Sequence, residues 1–334
     1  MKFIIAIGII FITSVLVLPS IIVIGFSNEE VSPYEDPEFV KQTTSETMYS
    51  EFTVAVYRNE TSVIEQVAFE EYIVGVVSSE MPATFEIEAL KAQALTARTY
   101  YINLLTFENL DLPKGAYIKD TVEHQVYRNN DELKEIWGDN YNRNIARIRE
   151  AVYETRGEII TYEGLPISAQ YFSTSNGYTE NSEDYYEHEF PYLRSVESPW
   201  DVESPHYESE HVLSISDFQE ALEITLDRNS KIKVLGRTNG GNIKRIRVAD
   251  KEFTGRELRE LLPLKSSDFT INLVDNAVSI QTRGYGHGVG MSQYGANGMA
   301  KEGSTYKDII HHYFQSVKIQ HKEEVMGLIT ETNN

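Results

Sequence analysis

No cysteine occurs anywhere in the 334 residues. Disulfides, thiolate metal sites and cysteine nucleophiles are therefore excluded, although the compartment is not fixed by this alone. Positive charge is scarce as well: 30 Lys and Arg stand against 51 Asp and Glu, a formal net charge of −21. Such a chain repels phosphate backbones and anionic headgroups, so nucleic-acid binding and charge-driven membrane adhesion are both poor readings. There is no His-Glu-x-x-His, no Gly-Lys-Ser/Thr phosphate loop and no Gly-x-Ser-x-Gly elbow. That removes the common signatures of zinc hydrolases, nucleotide binders and α/β-hydrolases. No internal repeat is found.

What is present begins with one apolar run. Residues 3–26 carry no charge and are mostly Ile, Val, Leu and Phe, long enough to cross a bilayer. Lys2 precedes the run and Glu29 and Glu30 follow it, which agrees with an N-terminus left inside and a remainder outside. A cleaved signal peptide is the rival reading. The run is long for one and no Ala-x-Ala site follows, so residues 1–26 read as a single-pass transmembrane anchor. Residues 27–50, rich in Glu, Ser, Thr and Pro without periodicity, read as a linker.

From residue 51 to residue 318 the pattern is that of a mixed α+β domain, with a smaller inserted lobe over 213–264 and a polar tail over 319–334. Residues 52–57 and 63–69 read as strands about a polar turn, and the chain stays apolar from Glu71 to Val77. Ala89, Leu90, Ala92, Ala94, Leu95, Ala97 and Tyr101 then recur at helical spacing, with Thr84 the expected N-cap. So many alanines predict a helix buried on several sides. A second helix is expected over 140–154, stopped by Gly157, and a hairpin of 158–162 with 167–172 about Glu163-Gly164. Residues 213–224 read as helix, and 231–235 with 243–248 as paired strands. Thr254 with Glu257 forms a capping box, 269–274 with 277–282 a hairpin, and 306–314 a last helix.

Three segments hold chemistry. Glu80 sits in Ser79-Glu80-Met81-Pro82 beside apolar Val77 and Met81. Partial burial there would raise its pKa and let it donate a proton near neutral pH; the plain alternative is an exposed acid ahead of a helix. Lys91, Gln93 and Arg98 interrupt the alanine-rich helix, and Lys91 and Arg98, seven apart, share a face. Either they pair with a carboxylate or orient a sugar amide at a site, or, the favoured reading on sequence alone, they are structural. Glycines alternate through 284–290, leaving the backbone open to close approach, and flank His287. That histidine reads as general base, metal ligand or hydrogen-bonded structural residue, the last being commonest. Too few further ligands accompany it, so no metal and no cofactor is expected.

Four stretches in this order resemble the stage II sporulation protein D family of lytic transglycosylases. They are Glu71–Pro82, Glu88–Tyr100, Tyr171–Glu180 and Gly286–Ala296, the last shared with amidase-enhancer relatives. The resemblance covers residues 52–317 and implies an activity. The bond between N-acetylmuramic acid and N-acetylglucosamine in peptidoglycan glycan strands would be cut without water, giving a 1,6-anhydro product. Glu80 would protonate the bridging oxygen and then act as base on the muramic 6-hydroxyl, so one carboxylate serves both steps, unlike two-carboxylate glycosidases. Arg98 would orient or charge-balance the site, and Lys91, Gln93, Tyr171, Ser173, Ser175, His287 and Gln293 would contact the glycan. Membership further implies a preference for strands stripped of stem peptides. It places the protein in the engulfing membrane of a sporulating cell, catalytic domain outside, alongside a partner amidase and a membrane scaffold protein. The rival is a non-catalytic wall-binding protein that activates the amidase. A third reading, an enzyme acting on stem peptides, is disfavoured by the missing zinc and nucleophile patterns.

Overall fold

The computed structural model describes residues 53–107, 112–113, 115–186, 188–227, 230–274 and 277–325. The stretches read as anchor and linker, 1–26 and 27–50, lie outside these residues. Among the described residues no helix is long and apolar enough to cross a membrane. What is described is a mixed α+β domain.

Two antiparallel strands open it, β1 (Thr53–Arg58) and β2 (Val63–Ala68). The chain then enters α1 (Phe69–Glu80), in which nine of twelve residues are buried. Ile73-Val74 and Val76-Val77 are β-branched and disfavour helix locally. Burial on nearly every face overrides that preference, since propensity is worth only tenths of a kcal/mol per residue. A turn over Pro82–Glu86 leads to α2 (Ile87–Phe107), which starts beyond the expected Thr84 cap: the Ala89 and Leu90 amides bond to the Glu86 carbonyl. As the alanines predict, α2 is the central helix. Ala92, Ala94 and Ala97 are fully buried, and α1 packs on it.

β3 (Ile118–Lys119) runs parallel to β1. Next come α3 (Asn130–Trp137) and α4 (Tyr141–Glu154). The first was not anticipated, although Asn129 and Glu132 form a capping box visible in the sequence. β4 (Glu158–Tyr162) turns into a short β5 (Leu165–Pro166). The expected second hairpin arm breaks there. Tyr171–Phe172 forms β6, paired in parallel with β13 (Met291–Ser292) far along the chain. That pairing is set by tertiary packing and leaves no local signal.

A second hydrophobic core follows. β7 (Glu208–Ser214) takes the first part of the segment read as helix, and α5 (Ile215–Leu222) begins only after the Ser214 cap. β8 (Ile232–Arg237), β9 (Ile243–Val248) and β10 (Lys251–Phe253) form an antiparallel sheet, and α6 (Gly255–Leu261) carries the expected capping box. β11 (Asp268–Val274), β12 (Ala277–Arg283) and β7 form another. Phe218, Ile246, Val248 and Leu258 fill this core together with Phe269, Val278 and Ile280, which lie past residue 264.

The chain returns to the first core through β13, α7 (Gln293–Lys301) and α8 (Tyr306–Tyr313), then β14 (Lys318–His321), which pairs with β4. Residues 319–325, read as the start of a tail, are thus part of the fold. The Lys322 amide bonds to the Gly157 carbonyl, and Val325 is fully buried.

Candidate active site

Glu80 is the last residue of α1, where the helix presents unpaired carbonyls and a partial negative charge. Its carboxylate keeps some contact with solvent yet is enclosed by protein on most sides. The Val126 amide donates to Oε1 at 3.0 Å. The Tyr171 hydroxyl and the Gln293 amide lie beside it and also favour its charged form. Burial pushes the Glu80 pKa above the ordinary carboxylate range. The Val126 hydrogen bond, the Tyr171 and Gln293 donors and the nearby Arg128 charge pull the other way without cancelling it.

Each partner is positioned by identifiable packing. Gly75, in α1, faces the segment that carries Val126. A Cβ there would lie 2.4 Å from the Tyr127 ring and 2.6 Å from the Arg128 carbonyl. Only glycine lets residues 125–128 lie this close to the helix and bring the Val126 N–H to Glu80. Behind the carboxylate, Tyr72 stacks on Tyr127 with ring centroids 5.5 Å apart. A relay of side chains then fixes Tyr171. The Tyr72 hydroxyl donates to Gln125 Oε1 at 3.0 Å, and Gln125 Nε2 donates to the Tyr171 hydroxyl at 3.3 Å. Burial and the Glu80 charge hold the Tyr171 phenol well above its usual pKa, so it stays a donor. The β6–β13 pairing sets Tyr171 beside Met291, two residues before Gln293.

Several residues expected at this site have other duties. Arg98 is fully buried. Its guanidinium takes both oxygens of Glu70, at 3.0 and 2.7 Å, and reaches the carbonyls of Val152 and Glu158. Lys91 does share its face, pairing with Glu88 and Glu154, each at 2.7 Å. Both cations are structural and neither is free to orient a sugar. Gln93 is also fully buried. It lies behind Gln293, whose amide reaches its carbonyl at 3.5 Å, and its own Nε2 has no partner among the described residues.

Ser175 of the third motif faces inward, while Ser173 is partly exposed. Ser175 donates to Asp201, 2.8 Å away, and Ser198 and Ser292 donate to the same buried carboxylate, each at 2.5 Å. Asp201 thereby ties the third motif, the 198–204 loop and the fourth motif together. Ser173 lends its carbonyl to the Tyr294 amide at 3.1 Å, while its hydroxyl lies 3.2 Å from that of Thr174. His287 is also structural. The Val289 amide donates to Nδ1 at 3.0 Å, so Nε2 carries the proton and donates to the Tyr171 carbonyl at 3.1 Å. Burial, with help from the Arg259 charge, lowers its pKa to about 4 and keeps it neutral. It acts on the site through the backbone of Tyr171.

Sequence reasoning passed over Tyr72, Gln125, Val126 and Arg128. Arg128 is half-buried, lies within electrostatic reach of Glu80 and Glu132, and makes no hydrogen bond or ion pair among the described residues. The arrangement can deliver a proton from a carboxyl group of raised pKa. It can then stabilise the resulting carboxylate through the Val126 hydrogen bond already in place and the Tyr171 and Gln293 donors beside it.

Comparison with known proteins places the chain in a family. The family model described as Stage II sporulation protein matches residues 57–162, the stretch that supplies Glu80, Val126 and Arg128. The protein is thus of a sporulation-protein class. Two relatives extend the match to nearly the whole chain. It is 42% identical to Stage II sporulation protein D of Bacillus subtilis (strain 168) and 41% identical to that of Bacillus amyloliquefaciens, covering 94% of each chain in both pairs. The chain belongs to the stage II sporulation protein D family. It is also 28% identical to the amidase enhancer of Bacillus subtilis over 72% of its own length and 39% of the enhancer's.

Proposed function

We propose that this protein is a peptidoglycan lytic transglycosylase of sporulation in which Glu80 acts first as acid and then as base. The observation that carries the reading is the setting of Glu80: a carboxyl of raised pKa, partly open to solvent, facing one backbone and two side-chain donors. Protonated, it donates to the glycosidic oxygen between N-acetylmuramic acid and N-acetylglucosamine. The leaving sugar departs with that proton. The carboxylate, now held by Val126, Tyr171 and Gln293, takes the proton of the muramic 6-hydroxyl as that oxygen closes on C1. Atoms balance without water, and Glu80 ends the cycle protonated. In this reading the apolar run of residues 3–26 anchors the chain, the domain works outside the cytoplasm at the engulfing membrane, and a partner amidase supplies strands freed of stem peptides.

The likeness to an amidase enhancer supports a second reading, a wall-binding protein that activates an amidase without cutting glycan. One digest separates the two. Denuded glycan is incubated with wild-type protein and with Glu80→Gln, and products are weighed by mass spectrometry. Anhydro-muramic ends from the wild type alone, with a folded variant that still binds, are the expected result. Uncut glycan from both, with binding retained, leaves only the activator.

A further inference from the structure

Among the alternating glycines of 284–290 stands one side chain that the setting of Glu80 does not use, Tyr285. Gly284 and Gly286 flank it with φ of 84° and 122°. A Cβ on the first would lie 2.9 Å from the Thr174 carbonyl, and on the second 2.7 Å from Phe172 Cβ. Only glycine lets the backbone press so close to the third motif. Between them Tyr285 exchanges both backbone hydrogen bonds with Thr174, at 2.7 and 3.0 Å, while its side chain stays half-exposed and joins neither hydrophobic core. Its ring heads a row. The exposed His206 ring stands nearly perpendicular to it, centroids 5.7 Å apart, and nearly perpendicular to the half-exposed Tyr294 ring at 6.1 Å. Tyr294 in turn packs on Phe85 at 5.0 Å. The row thus ends beside the acid, because Tyr294 follows Gln293 and Phe85 lies in the turn that leads out of Glu80. The rings are held in place: Ser204 Oγ accepts the His206 amide at 3.1 Å, and Lys265 Nζ lies 4.5 Å from the centroid of Tyr285. Their polar tips are free, since the Tyr285 and Tyr294 hydroxyls and both His206 ring nitrogens have no hydrogen-bond partner among the described residues.

We infer that Tyr285, His206 and Tyr294 form a stacking subsite for the sugar rings of a saccharide chain on one side of the bond that Glu80 attacks. The inference rests on the glycan reading of Glu80 and adds to it where the chain lies beyond the acid. Anchored aromatic bodies with free polar tips suit a ligand that is apolar on the face of each ring and hydroxylated at its edge, which a pyranose is. Stacking asks for no charge on the ligand, so it would recognise neutral sugars as well as acidic ones. An extended peptide fits less well. Such a ligand is held through main-chain hydrogen bonds, and the amides of Tyr285, Tyr294 and His206 are already given to Thr174, Ser173 and Ser204. Nucleic-acid bases also stack on aromatic rows, but their phosphates are repelled by a chain of −21.

The test uses the full-length chain in detergent, with Glu80→Gln present throughout so that no probe is cut. Fluorescent oligomers of N-acetylglucosamine, which carry neither carboxylate nor peptide, are titrated by anisotropy at low and high salt, with free stem peptide as competitor. Tyr285→Ala and Tyr294→Ala are each expected to weaken binding about fivefold, equally at both salt concentrations. Tyr285→Phe and Tyr294→Phe keep the ring and should bind within about twofold of the parent. Tyr285 lies outside both cores, so its alanine variant should stay folded even if Tyr294→Ala does not. Parent-like binding by folded Tyr285→Ala, phenylalanine variants that lose as much as the alanines, a loss that vanishes at high salt, or displacement of the oligomer by stem peptide would each overturn the inference. With Glu80 restored, the alanine variants should raise KM on long strands more than they lower kcat, and an equal fall in kcat alone would count against a binding role. Row-dependent binding without cleavage by the wild type would keep the subsite and sink the transglycosylase reading. Cleavage by the wild type, with oligomer binding that ignores the row, would do the reverse.

Discussion

Replacing Arg98 by Met separates a structural cation from a catalytic one. Arg98 is fully buried, and its guanidinium is shared among both Glu70 oxygens and two carbonyls. Glu70 is itself 2% exposed. Removing the cation leaves a carboxylate charged, buried and uncompensated, a loss of about 3–5 kcal/mol. A domain of this size shifts its Tm by roughly 2 °C per kcal/mol, so Arg98→Met should melt about 6–10 °C below the wild type. Removing the pair together, as Glu70→Leu with Arg98→Met, leaves no charge behind. Since buried ion pairs contribute little net stability against apolar replacements, the double variant should regain most of the loss. Thermal unfolding by circular dichroism measures the cycle, and a glycan digest well below the lower Tm measures function. Arg98→Met should retain near-normal cleavage per folded molecule. A variant that melts like the wild type but no longer cuts would refute the structural assignment and return Arg98 to the site.

Three further outcomes follow from the geometry. The Arg128 charge lowers the Glu80 pKa, so Arg128→Leu should raise it and move the alkaline limb of the pH–rate profile upward; an unmoved limb would place Arg128 outside the electrostatics of the acid. Glu180 is buried and its pKa is raised to about 7, mainly by desolvation. The folded state therefore binds this proton more tightly than the unfolded one, and stability falls as pH rises from about 4.5 through 7, by up to about 3 kcal/mol. Glu180→Gln should flatten that slope in denaturant unfolding measured at successive pH values, and an unchanged slope would remove Glu180 as its source. Gly295 packs on the Asp201 hub, where a Cβ would lie 2.1 Å from the Tyr313 hydroxyl and 2.3 Å from Ser198 Oγ. Gly295→Ala should lower the Tm by several degrees, because groups on three segments must move apart; a wild-type melting temperature would show that the hub is loosely packed.

Much of the fold is legible in local pattern. The alanine run of α2, the Thr254 capping box and the 269–282 hairpin report contacts within a few residues, and the structure has them where periodicity puts them. Errors cluster where distant segments decide. α1 is β-branched and helical because it is buried, and the arm after β5 leaves its hairpin to pair with β13. The resemblance motifs single out Glu80, Tyr171 and Gln293, which the structure brings together. The same motifs also hold Arg98, Ser175 and His287, whose partners, Glu70, Asp201 and the Tyr171 carbonyl, cannot be read from spacing. Nothing local marked Gln125, Val126 or Arg128, since their link to Glu80 exists only because Gly75 admits them.

The sequence by itself determined the family, the absence of thiol chemistry, the acidic balance of the chain, and the identity of the candidate acid. Those properties depend on composition and on order within short windows. Tertiary structure decided which polar residues surround Glu80 and which are consumed in holding the scaffold. A side chain's duty depends on the partner that burial brings within about 3 Å, and the partners here lie more than twenty-five residues away in the chain.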